Sequence, residues 1–236
     1  MPVSKKMVER LMLAFSVVTA ASCSFAAGMQ PATSVVLVSE EQGEYGMVVK
    51  NTDATASLLY TSLENIEEDP EKLLIVTPPV TRVEGGETQL VRFIVQSKTP
   101  LKHQRLMRVY FEGIPLSKSK IPNSVGVTIR QNLPVIISPK GLAVDSEPWK
   151  HLKIALCGDT LRVTNDSPYV VRLAQQGKLQ PSGLLVAFPK SYVLPQSRLN
   201  LKLTAPSKAN SVRIHPASVY GYAVKHYDAP LVACSL

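Results

Sequence analysis

Apolar and polar residues alternate in short runs along almost the whole chain, with the period of two that marks half-buried strands. Thr88–Gln96 is the clearest run: Val91, Phe93 and Val95 fall on one side, and Leu90, Arg92, Ile94 and Gln96 on the other. The first side is the core candidate. Gln104–Ile114 repeats the pattern, with Met107, Val109 and Phe111 opposing Leu106, Arg108 and Tyr110. Ser34–Val38, Tyr45–Asn51, Ala56–Leu63 and Leu73–Val83 read as further strands, separated by SEEQGE, EDPEK and similar polar turns. About seven strands at this spacing predict a β-sandwich.

The pattern restarts after SPKGLAVDSEPWK, where Pro139, Gly141 and Pro148 mark a linker. Beyond it HLKIAL, TLRVTND, YVVRLA, LLVAFP, RLNLKLTA, SVRIHPA, VYGYAVKH and PLVACSL are all strand-like, and no window carries an amphipathic helix. The expected fold is all-β, with two β-sandwich domains of roughly 110 and 90 residues. The boundaries are drawn at 27–139 and 140–236.

The stretch IPNSVGVTIRQNLPVIISPKG, from Ile121 to Gly141, differs from the others. Val125, Val127 and Ile129 sit two apart, and Pro134 then marks where pairing is expected to end, at a sheet edge. An open edge is normally guarded by charges or prolines of its own. The three β-branched residues either face the protein's own core or are kept for a partner.

Composition refines this picture. A hydrophobic share of 45% in 236 residues fills a real core, and eighteen prolines against twelve glycines suit stiff turns between strands. Residues 1–26 read as a secretory signal: Lys5, Lys6 and Arg10 start it, Leu11 to Ala21 is an apolar stretch too short to span a bilayer, and Ser24-Phe25-Ala26 offers a cleavage site. A lipoprotein leader ending at Cys23 is the alternative, but Ala20-Ala21-Ser22 lacks the usual leucine-like start. Loss of Lys5, Lys6, Glu9 and Arg10 with the leader takes a net two from the formal charge of +8. The remaining balance fits an acidic partner or a membrane surface as well as any exported protein. No second long apolar segment follows, so no stable membrane insertion is expected.

Of the three cysteines, cleavage leaves Cys157 and Cys234, an even pair that reads as a disulfide in an oxidising compartment. Two buried thiols are the alternative. Catalytic signatures are missing: there is no H-E-x-x-H, C-x-x-C, G-x-S-x-G or phosphate-binding glycine loop. His226-Tyr227-Asp228 lies on successive strand positions that point to opposite faces, and the acidic run Glu64, Glu67, Glu68, Asp69 and Glu71 shows no recurring ligand spacing. The expectation is a non-enzymatic binding protein with no cofactor, no metal and no nucleic-acid partner.

Several stretches together resemble the periplasmic chaperones of chaperone–usher pilus assembly. They are LLIVTPPVTRVEGGETQLVRFI (Leu73–Ile94), RVYFEGIPLS (Arg108–Ser117), VTIRQNLPVIISPKGL (Val127–Leu142), LRVTNDSPYVVRLA (Leu161–Ala174) and FPKSYVLPQS (Phe188–Ser197). The resemblance runs in order over nearly the whole mature chain, although no one motif is decisive. It implies two immunoglobulin-like domains set at an angle, a periplasmic location, and partners that are pilus or fimbrial subunits and an outer-membrane usher. It implies that an edge strand completes the subunit's unfinished sandwich, by the strand addition long known for chaperone–pilin pairs. Val125, Val127 and Ile129 then fill the subunit's groove. Self-association is the other way such an edge is covered when no subunit is bound.

The chain departs from the family at its carboxylate anchor. Two basic residues between the domains hold the subunit's terminal carboxylate in the best-known branch, and Val35 and Pro134 stand at those places here. Arg130, Arg92 and Lys140 are the candidate replacements. Gly113, Ser138 and Val219 stand where the family's interdomain salt bridge is expected. The short connection from Pro115 to Ser124, without a cysteine pair, resembles the short-loop chaperones. The rival reading is an exported structural pilus subunit or adhesin with immunoglobulin-like domains, against which the short AGMQPATS before the first strand argues. An exported hydrolase or metal-binding domain is a further rival, disfavoured by the missing ligand sets.

Overall fold

A computed structural model describes residues 28–116 and 128–234. The first nine strands are β1 (Met29–Pro31), β2 (Val36–Ser39), β3 (Glu44–Asn51), β4 (Ser57–Asn65), β5 (Leu74–Thr77), β6 (Val80–Val83), β7 (Thr88–Val95), β8 (Arg105–Pro115) and β9 (Arg130–Ser138). They form two facing sheets, ordered β1-β3-β7-β5 and β2-β9-β8-β4-β6. Alternation decides which side chains meet between them. Met47 and Val49, with Val91 and Phe93, face Leu59, Met107, Val109, Phe111, Val135 and Ile137. Phe93 and Phe111 meet edge-on at 6.5 Å, a favourable aromatic geometry.

The other ten strands are β10 (Lys153–Cys157), β11 (Thr160–Asn165), β12 (Val171–Leu173), β13 (Gln176–Pro181), β14 (Leu185–Ala187), β15 (Tyr192–Val193), β16 (Ser197–Lys202), β17 (Ala209–Ile214), β18 (Pro216–Ala217) and β19 (Tyr227–Val232). A seven-stranded sheet, β14-β13-β17-β19-β10-β11-β16, packs with a three-stranded one, β15-β12-β18. Their core includes Trp149, Ile154, Leu161, Val163, Leu179, Val212 and Ile214. Cys157 and Cys234 are bonded, which ties the end of β10 to the chain just beyond β19. Apart from a 3-10 turn at Pro148–His151, the described residues contain no helix.

Both sandwiches use one buried asparagine in the same way. Asn51 Nδ2 donates to Thr55 O and Val83 O at 2.9 and 3.0 Å, and Asn165 Nδ2 donates to Tyr169 O and Leu194 O at 2.8 and 3.0 Å. Each amide sits at the end of a strand and satisfies carbonyls that no ladder reaches.

Four expectations are corrected. The run Leu73–Val83 is two strands in different sheets, because Pro78 and Pro79 stop one ladder before the next begins. Pairing does not end at Pro134: β9 continues to Ser138, paired with β8 on one side and, from Val135, with parallel β2 on the other. A proline forfeits only its own donor, and its neighbours carry the ladder past it. VYGYAVKH is mostly turn, with Tyr220 and Tyr222 left 60% and 75% exposed. QGKLQP, not read as a strand, is β13.

Candidate functional site

The site follows from how the N-terminal strand changes sheets. β1 pairs with β3 in one sheet, the chain crosses over residues 32–35, and β2 then pairs with β9 in the other. β2 covers β9 only from Val135 to Ser138. From Arg130 to Leu133 the edge of β9 away from β8 therefore lacks a strand partner among the described residues. Gln131 Nε2 reaches across the gap to Met29 O at 2.6 Å. A cavity of about 560 Å³ lies there, lined by Pro31, Thr33, Ile129, Gln131 and Leu133 among others.

One face of β9 grades from core to solvent. Ile137 and Val135 are fully buried, Leu133 packs on the rim of the core, and Ile129 is 45% exposed. Ile129 shares this face by the two-residue period but has run past the core that fills it. Val125 and Val127, which continue the same period in sequence, lie outside the described residues.

The far end of β9 enters the junction between the sandwiches. An apolar cluster of Val35, Ile66, Leu106, Ile136 and Val170 joins the two. Val35 is thus core, not a charge site. Gln104 adds polar stitches: its N–H donates to Pro168 O at 2.8 Å, its Oε1 accepts from Val170 N at 2.9 Å, and its Nε2 donates to Ser138 Oγ at 3.1 Å. Lys190 Nζ donates to Glu68 Oε1 at 2.7 Å and Glu67 Oε2 at 3.2 Å, and Tyr192 OH donates to Glu68 Oε2 at 3.1 Å. The acidic run therefore takes part in the domain junction. Glu67 and Glu68 supply a cross-domain ion pair away from Gly113, Ser138 and Val219, and Asp69 is bound by Arg105. Partial burial raises the Glu68 carboxyl, but the hydrogen bonds from Lys190 and Tyr192 outweigh it and hold the pKa below the ordinary carboxylate value.

A second cavity, of about 340 Å³, opens at this junction, and Pro134 is part of its wall. None of the three cations proposed from sequence lines it. Arg130 lies over the Tyr110 ring, its guanidinium 3.9 Å from the ring centre. Arg92 projects from the outer face of β7 towards Glu44, at 3.9 Å. Lys140 follows the end of β9, its backbone N–H held by Glu40 at 3.0 Å. The cations brought together at the cavity are Arg108, on β8 opposite Pro134, and Arg172, on β12. Alternation in the sequence places Arg108 with Leu106 and Tyr110, opposite Met107, Val109 and Phe111. It could not show that the second domain closes over that side, as the burial of Leu106 there also attests.

Residues 28–143 match the family model described as pili and flagellar-assembly chaperone, PapD N-terminal domain, and residues 147–228 match pili assembly chaperone PapD, C-terminal domain. The fimbrial chaperone YhcA of Escherichia coli K12 is 43% identical over 215 residues, 91% of this chain and 95% of its own. The chain belongs to the pilus-assembly chaperone family. The chaperone is also 26% identical over 181 residues to chaperone protein HifB of Haemophilus influenzae, covering 70% of this chain and 75% of HifB. Its fold matches the Salmonella enterica structure of SafA pilin in complex with the SafB chaperone, with a TM-score of 0.71 at 16% identity over 89% of this chain and 99% of that one. It matches the Pseudomonas aeruginosa CupB2 chaperone with a TM-score of 0.68 at 22% identity, over 86% and 100% of the two chains. The chaperone therefore assists pilus or fimbrial assembly and is not a pilus subunit or adhesin. Fimbrial chaperones act in the periplasm, and among the described residues no helix is long and apolar enough to cross a membrane.

Proposed function

We propose that the chaperone is exported by cleavage of residues 1–26 and binds a pilus subunit along the uncovered edge of β9, handing it on to an outer-membrane usher. Residues 27–139 carry that edge, and residues 140–236 form the second domain. The observation that carries this reading is the half-covered β9. Its main chain is open from Arg130 to Leu133, and its core face runs on into solvent at Ile129. An extended client segment adds there as a strand, with main-chain bonds for affinity and alternate side chains for specificity. Val125, Val127 and Ile129 are the side chains offered to the client's groove. Each aliphatic group buried contributes about 1.5–3 kcal/mol before ordering costs. The role is binding, and the reading needs no reaction or cofactor.

The test is co-purification of the pilin expressed from the chaperone's own operon. Val127→Asp with Ile129→Asp abolishes recovery of the pilin while leaving the chaperone's melting curve unchanged. Undiminished recovery from that double variant overturns the assignment of the donated face.

A further inference from the structure

The outer face of the second domain's seven-stranded sheet carries a cluster of like charges. Ile154, Leu161, Val163 and Leu201 point into the core. By the two-residue period, Lys153, Arg162, Arg198 and Lys202 point away from it. The ladder fixes how they meet. Arg162 on β11 stands opposite Ala155 of β10 on one side and Asn200 of β16 on the other. Lys153, Arg198 and Lys202 are therefore its diagonal neighbours, within reach of long side chains. A cavity of about 200 Å³ opens here, lined by Lys153, Arg162 and Arg198 with Thr164, Ala155 and Val232 among others. Asp166 is the carboxylate in that lining, and Lys153 Nζ already donates to it at 2.9 Å. Arg198 and Lys202 form no ion pair with any described residue.

Cations guard open strand edges, which accounts for Arg198 and Lys202 on β16 at the rim of the sheet. It does not account for Lys153 and Arg162, because β10 and β11 have partners on both sides. The excess also runs across the face. Lys178 on β13 and Arg213 on β17 point away from the core, and Arg213 alone of the two has a carboxylate, Asp228, at 2.7 Å. The whole domain shares this bias. Residues 151–236 hold ten Lys and Arg against three Asp and no Glu, whereas residues 27–150 hold thirteen against fourteen acids, so the positive balance lies in the second domain. The cations stand on strands about 4.8 Å apart, spread over a plane and not gathered in a groove.

Guanidinium and ammonium groups donate to phosphate oxygens as well as to carboxylates, so charge alone does not choose between a lipid headgroup and an acidic peptide. The spread of the cations does. An extended peptide follows one strand or groove, whereas an anionic bilayer presents its charge over a plane. Val232, 48% exposed beside Ala155, adds an apolar contact to the same face. We propose that this face docks on an anionic bilayer surface, with one lipid phosphate held in the cavity by Lys153, Arg162 and Arg198. The contact is peripheral and inserts no segment. It uses no residue that lines the gap beside β9 or the junction cavity, so it stands apart from strand addition.

Co-sedimentation of the purified chaperone with vesicles tests this. It is expected to bind equimolar phosphatidylglycerol and phosphatidylcholine, to ignore phosphatidylcholine alone, and to be released as salt is raised. Each cation at an anionic surface contributes about fivefold to partitioning. Arg198→Gln with Lys202→Gln should therefore lower it roughly twentyfold, with an unchanged melting curve because both side chains are exposed. Lys98→Gln with Lys102→Gln removes the same charge from exposed positions of the first domain and should change it less than about threefold. Equal binding to the two kinds of vesicle overturns the proposal, and so does an equal loss from the two double variants, since net charge and not this face would then be at work. Calorimetric binding of an oligoglutamate peptide without binding of phosphatidylglycerol vesicles assigns the face to an acidic protein and overturns the membrane. Vesicle binding that appears only after removal of residues 235–236 also overturns it, the cluster then being satisfied by the chain itself.

Discussion

Asn165→Ala is expected to destabilise the second domain far more than the loss of one polar side chain suggests. Asn165 is fully buried. Its Nδ2 donates to Tyr169 O at 2.8 Å and Leu194 O at 3.0 Å, with Val193 O at 3.3 Å, and its Oδ1 accepts from Ser167 Oγ at 2.6 Å and Ser167 N at 3.2 Å. Alanine leaves at least two carbonyls without a donor in a space too well packed to admit water freely. At about 1–3 kcal/mol for each unsatisfied buried group, the loss is about 2–6 kcal/mol, a large part of a domain's total of about 5–15 kcal/mol. Ser167→Ala removes the hydroxyl that donates to Asn165 Oδ1 and accepts weakly from Tyr169 N at 3.3 Å, keeps the Asn165 amide bonds, and is expected to lose about 1 kcal/mol. Urea unfolding followed by circular dichroism measures both, with Asn51→Ala as the matching perturbation in the first domain. The reasoning fails if Asn165→Ala loses less than Ser167→Ala, because the amide would then not be the group that satisfies the Tyr169–Leu194 corner.

Replacing both Cys157 and Cys234 by alanine opens a loop whose ends lie 77 positions apart, and chain entropy puts the loss at roughly 4–5 kcal/mol; denaturation with and without reductant should show the same loss. The Glu68 carboxyl is held below the ordinary carboxylate value, so its contribution is complete above the unfolded pKa and disappears as pH falls through the folded one. Lys190→Met should therefore lower stability near neutrality, modestly because the pair is only partly buried, and leave it nearly unchanged in acid, so that the acid limb of the stability–pH curve flattens, read from melting temperatures between about pH 6 and pH 3.

Much of the fold was legible because strands half-buried in a sandwich carry their own period. Val91, Phe93, Met107, Val109 and Phe111 alternate in sequence and are buried where that alternation places them. The misreadings arise where a local rule meets a tertiary one. Pro134 looks like a stop in isolation, but β8 and β2 hold the strand on both sides of it. Gln176–Pro181 carries only Gly177 and Leu179 towards its core, too few apolar residues to signal a strand. Tyr220 and Tyr222 have the composition of a strand but find no partner for one, and Gly221 between them takes φ +89° as its turn packs against Ser34. The surroundings of the candidate site were legible in part. Ile129 stands on the face its period assigns to it, whereas Arg108 and Arg172 are 64 positions apart and share a cavity only because two domains close on each other. No period within one strand records that meeting.

Amide hydrogen exchange on the chaperone, alone and bound to the pilin from its own operon, tests the central claim most directly. Residues 130–133 should exchange quickly in the free protein at the amides that point away from β8, and become protected in the complex, while the β8 ladder changes little. Protection that appears on another surface, with residues 130–133 exchanging at the same rate free and bound, contradicts the account.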